Sequence, residues 1–414
     1  MKSRSRLLLV LAALVVCGCG EMLETHFAIP YSRSPDWEGL LGEKPNLQAK
    51  VAQEVDKRFG SDVNTIKVPP GSGLRDEGLH LAARARLDEK ADGPAQRLVY
   101  RDQEGRLLDQ VGGHAIYQRN CLHCHGATGD GLGVTAPFLF PRPRDFRRGI
   151  YKFTSTGTGS RPTRDDLRKT IRHGLDQTSM PAYAALLTPA EIEQVIDYVQ
   201  FLGLRGEFEH RLIQEAKDLA DEDPDALEAD IIEEDLQFLV NTWKEASERV
   251  VKPDTSRTPS SPESIARGRE LFLGKTKEQL QCAACHGTRG RGDGATWIDL
   301  ETFNHYVLGL DVSRERFKKL GEIAKSKNKK WGDDWGDPVR PANLSKGHYK
   351  GGERPIDLFW RIRNGIGQEL MPAHSNLSSA QVWDLVNFVL ALPYEPNLLA
   401  EGPAQPAPST VAGR

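Results

Sequence analysis

Two stretches of the chain carry apolar residues at helical spacing directly behind a helix-start signal. Thr188-Pro189-Ala190-Glu191 reads as an N-cap with proline at the first helical position. Ile192, Val195, Ile196, Val199 and Leu202 then recur on one face. Leu377-Ser378-Ser379 opens the same arrangement for Val382, Leu385, Val386, Val389 and Leu390. Between the two, Glu207 to Asp235 holds thirteen acidic residues and two basic ones on a helical pattern with Leu212, Leu219, Ile231, Leu236 and Leu239. This predicts a solvated pair of spacer helices, with an acidic docking face for a basic partner as the alternative. Pro253 to Pro262 is a Pro/Ser-rich linker, and residues 205–262 together form an acidic helical linker. The pattern as a whole predicts a mainly α-helical protein.

The first residues address the compartment. Lys2, Arg4 and Arg6 precede an apolar run from Leu7 to Val16, followed by Gly18 and Gly20. This is the form of a signal peptide, and the run is short for a bilayer span. Val16-Cys17-Gly18-Cys19 resembles a bacterial lipobox, in which Cys19, preceded by small Gly18, is the better lipidation candidate than Cys17. Residues 1–19 are therefore read as signal and lipobox, which places the protein on the periplasmic side of a bacterial membrane, held by a lipid anchor. The alternative is an ordinary cleaved signal that discards both cysteines. No second apolar stretch in the chain is long enough to cross.

Composition narrows the class. A formal charge of -3 and 7% aromatic residues give no sign of a nucleic-acid surface. The cysteines are more informative. An exported protein with six would be expected to build a disulfide framework, yet two fall in the signal and four form two Cys-x-x-Cys-His units, so none is left over. The units are Cys121-Leu122-His123-Cys124-His125 and Cys282-Ala283-Ala284-Cys285-His286. This pentapeptide is the attachment motif for c-type haem: Cys121, Cys124, Cys282 and Cys285 supply the thioether links, and His125 and His286 the proximal iron ligands. A thioredoxin-like pair needs no histidine after its second cysteine, and two zinc half-sites would have to meet across about 160 residues of chain. His123 is read as a surface residue near the haem edge.

Of four methionines, Met1 and Met22 lie at or near the signal, leaving Met180 and Met371, each followed by proline and each downstream of its own pentapeptide. One such methionine would be ordinary core packing. Two in register point to the second axial ligand of each iron, which raises the potential and closes the sixth position. The register extends further. Gly113, Tyr117 and Cys121 are spaced by four and four, while Gly268 and Phe272 keep the first spacing and Cys282 follows ten residues later. Both histidines open a His-Gly-x-x-Gly-x-Gly loop, and Pro143-Arg144-Asp145-Phe146 with Gly149 and Tyr151-Lys152 matches Pro341-Ala342-Asn343-Leu344 with Gly347 and Tyr349-Lys350. Leu167, Gly174 and Met180 keep the mutual spacings of Leu358, Gly365 and Met371. One unit has been duplicated.

Both units resemble class I, mitochondrial-type, cytochrome c domains, over roughly residues 110–204 and 263–394. The resemblance implies an N-terminal helix at the Gly-x-x-x-Tyr/Phe segment packed on the C-terminal helix, with Tyr117 meeting Tyr198 and Phe272 meeting Phe388. It also implies a proline carbonyl that holds the proximal histidine ring. Repeat alignment nominates Pro143 and Pro341, with Pro137 as a rival to the first. Arg142, Arg144, Arg340, Lys152 and Lys350 are candidates to neutralise haem propionates, against the commoner fate of solvated surface.

The expected organisation is an N-terminal extension over 20–108, cytochrome c domains over 109–204 and 263–394, and a disordered Pro/Ala-rich tail over 395–414. The extension, with a helical pattern from Gln48 to Phe59, is a tether, a wrapping arm or a docking segment. The second domain carries an insertion over 295–338 whose stretch Arg314 to Lys330 includes Lys318, Lys319, Lys325, Lys327, Lys329 and Lys330. It is an ordinary charged helix or a docking surface for an acidic partner. The functional expectation is a dihaem carrier with two haem c groups, relaying single electrons in a periplasmic respiratory chain. Its partners would be a quinol-oxidising complex, a terminal oxidase or another cytochrome; no copper or quinone motif is visible. The rival is an enzyme, a dihaem peroxidase or a dehydrogenase of sulfur compounds. Paired methionines in one register argue against the open site it needs. A redox sensor lacks a recognisable output domain.

Overall fold

The computed structural model describes residues 41–61, 65–75, 79, 85–87, 98–101, 107–108, 112–294, 340–367, 369–395 and 398. The signal segment with Cys17 and Cys19, the insertion at 295–338 with its basic run, and nearly all of the tail lie outside the described residues. The architecture is mainly α-helical. Among the described residues the α-helices are, in chain order, α1 (Pro45–Phe59), α2 (Gly113–Asn120), α3 (Leu122–His125), α4 (Arg164–His173), α5 (Pro189–Ala216), α6 (Ala229–Lys244), α7 (Pro262–Phe272), α8 (Cys282–His286), α9 (Pro355–Asn364) and α10 (Ser379–Ala391). The extension adds a three-stranded antiparallel sheet that pattern did not reveal, β1 (Ala85–Leu87), β2 (Leu98–Arg101) and β3 (Leu107–Leu108), with Tyr100 opposite both Ala85 and Leu108. Such short runs carry too few residues for their alternation to stand out from chance.

Each repeat is built on one helix crossing, and the Gly-x-x-x-aromatic signature is its cause. Glycine and aromatic, four apart, share a helix face. A Cβ at Gly113 would sit 2.1 Å from the Gln194 carbonyl oxygen, and one at Gly268 would sit 2.1 Å from that of Asp384. Only glycine lets α2 approach α5, and α7 approach α10, this closely. One turn on, Tyr117 packs on Tyr198 at 5.1 Å between ring centroids, and Phe272 on Phe388 at 5.2 Å. Gly268→Ala should therefore cost about 1–3 kcal/mol, because the obstacle is backbone and not a yielding side chain. Denaturant unfolding checks it; a loss below about 0.5 kcal/mol would mean that the crossing slides freely.

Capping boxes open both crossing helices, Thr188 with Glu191 and Ser378 with Gln381. They leave the two helices different in length. α10 spans 13 residues, whereas α5 runs on for 28. Its extra turns bury Phe208, Leu212, Ile213 and Ala216. Among the described residues no helix is long and apolar enough to cross a membrane. Leu47, Val51, Val55 and Phe59 form the buried stripe of α1, and Phe59 meets Phe201 and Phe208 of α5 at 5.8 and 5.6 Å. This part of the extension thus wraps the first domain.

The acidic linker departs from the solvated spacer that composition suggested. Glu207, Glu209 and Asp235 are buried. Glu207 bonds Arg161 and accepts a 2.8 Å bond from the Trp243 indole; Arg205 reaches Glu209 at 3.1 Å; Arg211 Nε donates to Asp235 at 2.7 Å. Arg161 and Arg205 come from outside the acidic window, so a count within it could not register them. Asp218 and Asp225 stay exposed.

The two repeats meet through counterpart faces. A Cβ at Gly351 would lie 2.7 Å from Phe153, its repeat equivalent. α4 and α9, also equivalents, send Lys169 to Asp357 and Arg361 over the Phe153 ring at 5.5 Å. Thr158 Oγ1 donates to the Asn364 carbonyl at 2.6 Å, and Asn364 Nδ2 donates to that of Thr156 at 2.9 Å. The linker is stitched into the same seam, where Trp360 Nε1 donates to the Val251 carbonyl at 2.8 Å.

Candidate haem-binding sites

Each pentapeptide forms a single helical turn. In α3 the amides of Cys124 and His125 bond the Cys121 carbonyl at 3.1 and 2.8 Å. Residues three and four apart lie on one side of a turn, so both thiols and the imidazole belong to one face. α8 repeats this for Cys282, Cys285 and His286. The loop behind each histidine needs its glycines: Gly126, Gly129 and Gly131, and their counterparts Gly287, Gly290 and Gly292, all have φ between 66° and 77°.

Backbone carbonyls hold both histidine rings. His125 Nδ1 lies 3.1 Å from the Arg144 carbonyl oxygen, and His286 Nδ1 lies 3.0 Å from that of Ala342. A carbonyl only accepts, so Nδ1 donates and Nε2 keeps its lone pair for a metal. The acceptor is thus the residue after Pro143 and after Pro341, one position beyond the prolines that repeat alignment nominated, and Pro137 does not supply it. Successive carbonyls of an extended segment face opposite ways. The Pro341 oxygen is directed at Gly292, where an added Cβ would meet it at 2.3 Å, which leaves the next carbonyl for the ring.

Burial lowers the pKa of His125 to about 4, although the Arg144 bond opposes it, and lowers that of His286 as well. Both imidazoles are therefore neutral at physiological pH, the form that ligates. Burial also raises the Cys121 thiol to about 12 and the Cys282 thiol to about 11. A redox-active dithiol depends on a depressed thiol pKa, so these pairs are unlike one. Among the described residues neither pentapeptide gathers three donors into one coordination sphere, as a zinc site would require.

Met180 and Met371 sit in equivalent turns. Gly174 and Gly365, both at φ 68°, end α4 and α9, and the next amide donates to the methionine carbonyl at 3.1 Å in each copy. In the first domain Cys121, Cys124, His125 and Met180 line a single cavity. Its walls include Leu167, Ile171, Leu187, Val195 and Val199. Arg142, Arg144, Lys152 and Lys350 also line it, as does Pro143. Two thiols on one face, a histidine with a free Nε2, a thioether, apolar walls and fixed cations are the donor set and shape that suit a haem c. His123 is exposed at the rim. Arg340 lies instead on the second domain's glycine loop, 3.4 Å from the Gly292 and Arg291 carbonyl oxygens.

Sequence reasoning missed three cavity residues. Phe146 stacks on the His125 ring at 4.6 Å, and Tyr151 on Phe146 at 5.8 Å. Both fall in the repeated block after Pro143, which was signal enough. Glu369 of the second domain also lines the first cavity, and nothing in its sequence context marked it.

Comparison with known proteins agrees with this chemistry. Residues 109–199 match the family described as cytochrome C oxidase, cbb3-type, subunit III, and residues 265–393 match the cytochrome c family. No curated protein matches. Among solved structures, a chain of the Kuenenia stuttgartiensis reducing HAO-like protein complex is 24% identical. It covers 68% of this chain and 94% of its own length, at a TM-score of 0.43. With a cytochrome c domain at each pentapeptide, this chain is a dihaem c-type cytochrome that binds two haem c groups and transfers electrons to and from redox partners.

Proposed function

We propose that the protein relays single electrons in a periplasmic respiratory chain, as a subunit of, or a shuttle between, a quinol-oxidising complex and a terminal oxidase or another cytochrome. Cys19 would tether it to the membrane through lipid. The observation that carries the reading is the convergence of Cys121, Cys124, His125 and Met180 on one cavity. A bound haem c supplies one-electron chemistry. The chain's own residues have narrower tasks. The four cysteines hold the haems covalently, and the histidine rings, fixed by the Arg144 and Ala342 carbonyls, present Nε2. Met180, which lines the first cavity, and Met371, in the equivalent turn of the second domain, would each supply a thioether ligand to a bound haem and so close it to substrate. The apolar walls exclude water, which keeps reorganisation small.

Absorption spectroscopy of the ferric protein tests this. Met180→Ala should remove about half of the methionine-to-iron charge-transfer band, and Met371→Ala the other half. A high-spin haem in the wild-type protein, together with peroxide turnover, would replace the carrier with an enzyme.

A further inference from the structure

The wall of the first cavity is not made by the first domain alone. Lys350 and Glu369 belong to the second domain, yet both line it, beside Lys152. Lys152 Nζ lies 2.7 Å from Glu369 Oε1, with only 15% and 11% of the two side chains exposed. Lys350 occupies the repeat position equivalent to Lys152, and both lysines line this one cavity. The three groups act on one another: burial is the largest influence on Lys350, Glu369 favours its charged form, and Lys152 opposes it. Arg361, which also reaches across the seam, bonds the carbonyls of Lys152 and Thr154, and so holds the Lys152 segment against the second domain.

We propose that Lys350 is a positioning residue for the haem of the neighbouring domain: its charge, delivered across the seam, raises the reduction potential of the first haem, and Glu369 counteracts it. The inference rests on a haem occupying the first cavity. Two lysines and one glutamate add one net positive charge to a cavity that Arg142, Arg144 and Asp166 also line, and the Lys152–Glu369 pair is largely buried, where charges act more strongly than in water. Reduction adds an electron, so a fixed positive charge favours the reduced form. The repeat turns this into asymmetry. Two copies of one domain, with the same ligand pattern, acquire different potentials because both lysines line the same cavity, and a potential difference gives the relay a direction.

The test is a potentiometric titration of the full-length holoprotein, which resolves two waves; Met180→Ala, in the wall of the first cavity, marks the first. Lys350→Met should lower the first potential by about tenfold in the reduction equilibrium, which is about 59 mV for one electron. Glu369→Gln should raise it, Lys350→Arg should restore it, and the second wave should stay in place. Shifts of the same sign for Lys350→Met and Glu369→Gln, or shifts in both waves, would overturn the proposal, since loosened packing and not charge would then be at work. An unmoved first wave with two haems bound per chain, counted by pyridine haemochrome, would overturn it while leaving the dihaem reading intact. Fewer than two haems in the wild-type protein would overturn that reading itself.

Discussion

A chain carrying Cys121→Ala and Cys124→Ala is expected to bind one haem and to lose the fold of its first domain around the cavity. The helices of that domain do not close on each other at the cavity. Leu167 and Ile171 of α4, and Val195 and Val199 of α5, face a space of about 240 Å³. Without the haem these side chains lose the apolar partner that buries them, and each one left exposed forfeits about 1.5–3 kcal/mol. Whole domains are stable by only about 5–15 kcal/mol. Phe59 of α1 and Phe201 and Phe208 of α5 pack on one another outside the cavity lining, so helical structure there should outlast that around Met180. The second domain has a separate core around Phe359, Val382, Val386 and Phe388 and should keep its haem. Haem content per chain and far-ultraviolet dichroism on heating check both halves of this result. Two bound haems, or an unchanged melting curve, would refute it.

Asp357→Asn is expected to uncouple the domains. The Asp357 side chain is fully buried and accepts bonds from the Arg354 backbone amide at 3.1 Å, from Arg354 Nη2 at 2.9 Å, and from Lys169 of the first domain at 2.5 Å. It also stands in the first turn of α9, where a negative charge suits the helix dipole. Burial alone would raise its pKa. The bonds from Arg354 and Lys169 outweigh burial, so the group ionises below its ordinary value of 3.8. Lys169 loses hydration that Asp357 only partly offsets, because burial drives the lysine pKa down. Removing the carboxylate takes away the lysine's counter-charge and leaves it the Gly351 carbonyl; breaking a fully buried pair costs about 3–5 kcal/mol, and this one costs less because 25% of the lysine side chain is exposed. The sign with pH follows from the lowered pKa: the carboxylate's contribution is complete above about pH 3.8 and is lost as pH falls through the folded-state value. Calorimetry at neutral pH should show the variant melting in two separated steps where the wild type melts in more nearly one. The difference between the two proteins should vanish in strong acid. A variant that melts like the wild type at pH 7 would show that the seam does not depend on this pair.

Much of the molecule is legible residue by residue. The cysteine spacing is one helical turn, the Gly-x-x-x-aromatic spacing is one helix face, and the Thr188 and Ser378 boxes are local hydrogen bonds; each pattern maps onto backbone geometry within a few residues. The carbonyl that holds each histidine lies one residue beyond the proline that repeat alignment nominates, since alignment finds the segment and only its backbone geometry decides which of two adjacent carbonyls faces the ring. The burial of Glu207 and Glu209 is not legible in the acidic run itself, because it depends on Arg161 and Arg205, which lie outside that run.

By itself, then, the sequence determined that there are two haem c sites, which pentapeptide marks each and which helices cross beside them, because spacing along a helix or turn is enough to place side chains together. Only the tertiary structure decided that the acidic linker is partly buried, that the repeats meet through counterpart faces, and that Lys350 and Glu369 line the other domain's cavity. The contacts of the seam join residues such as Thr158 and Asn364, 206 positions apart in the chain. They follow from how two complete surfaces fit, and no local spacing records that.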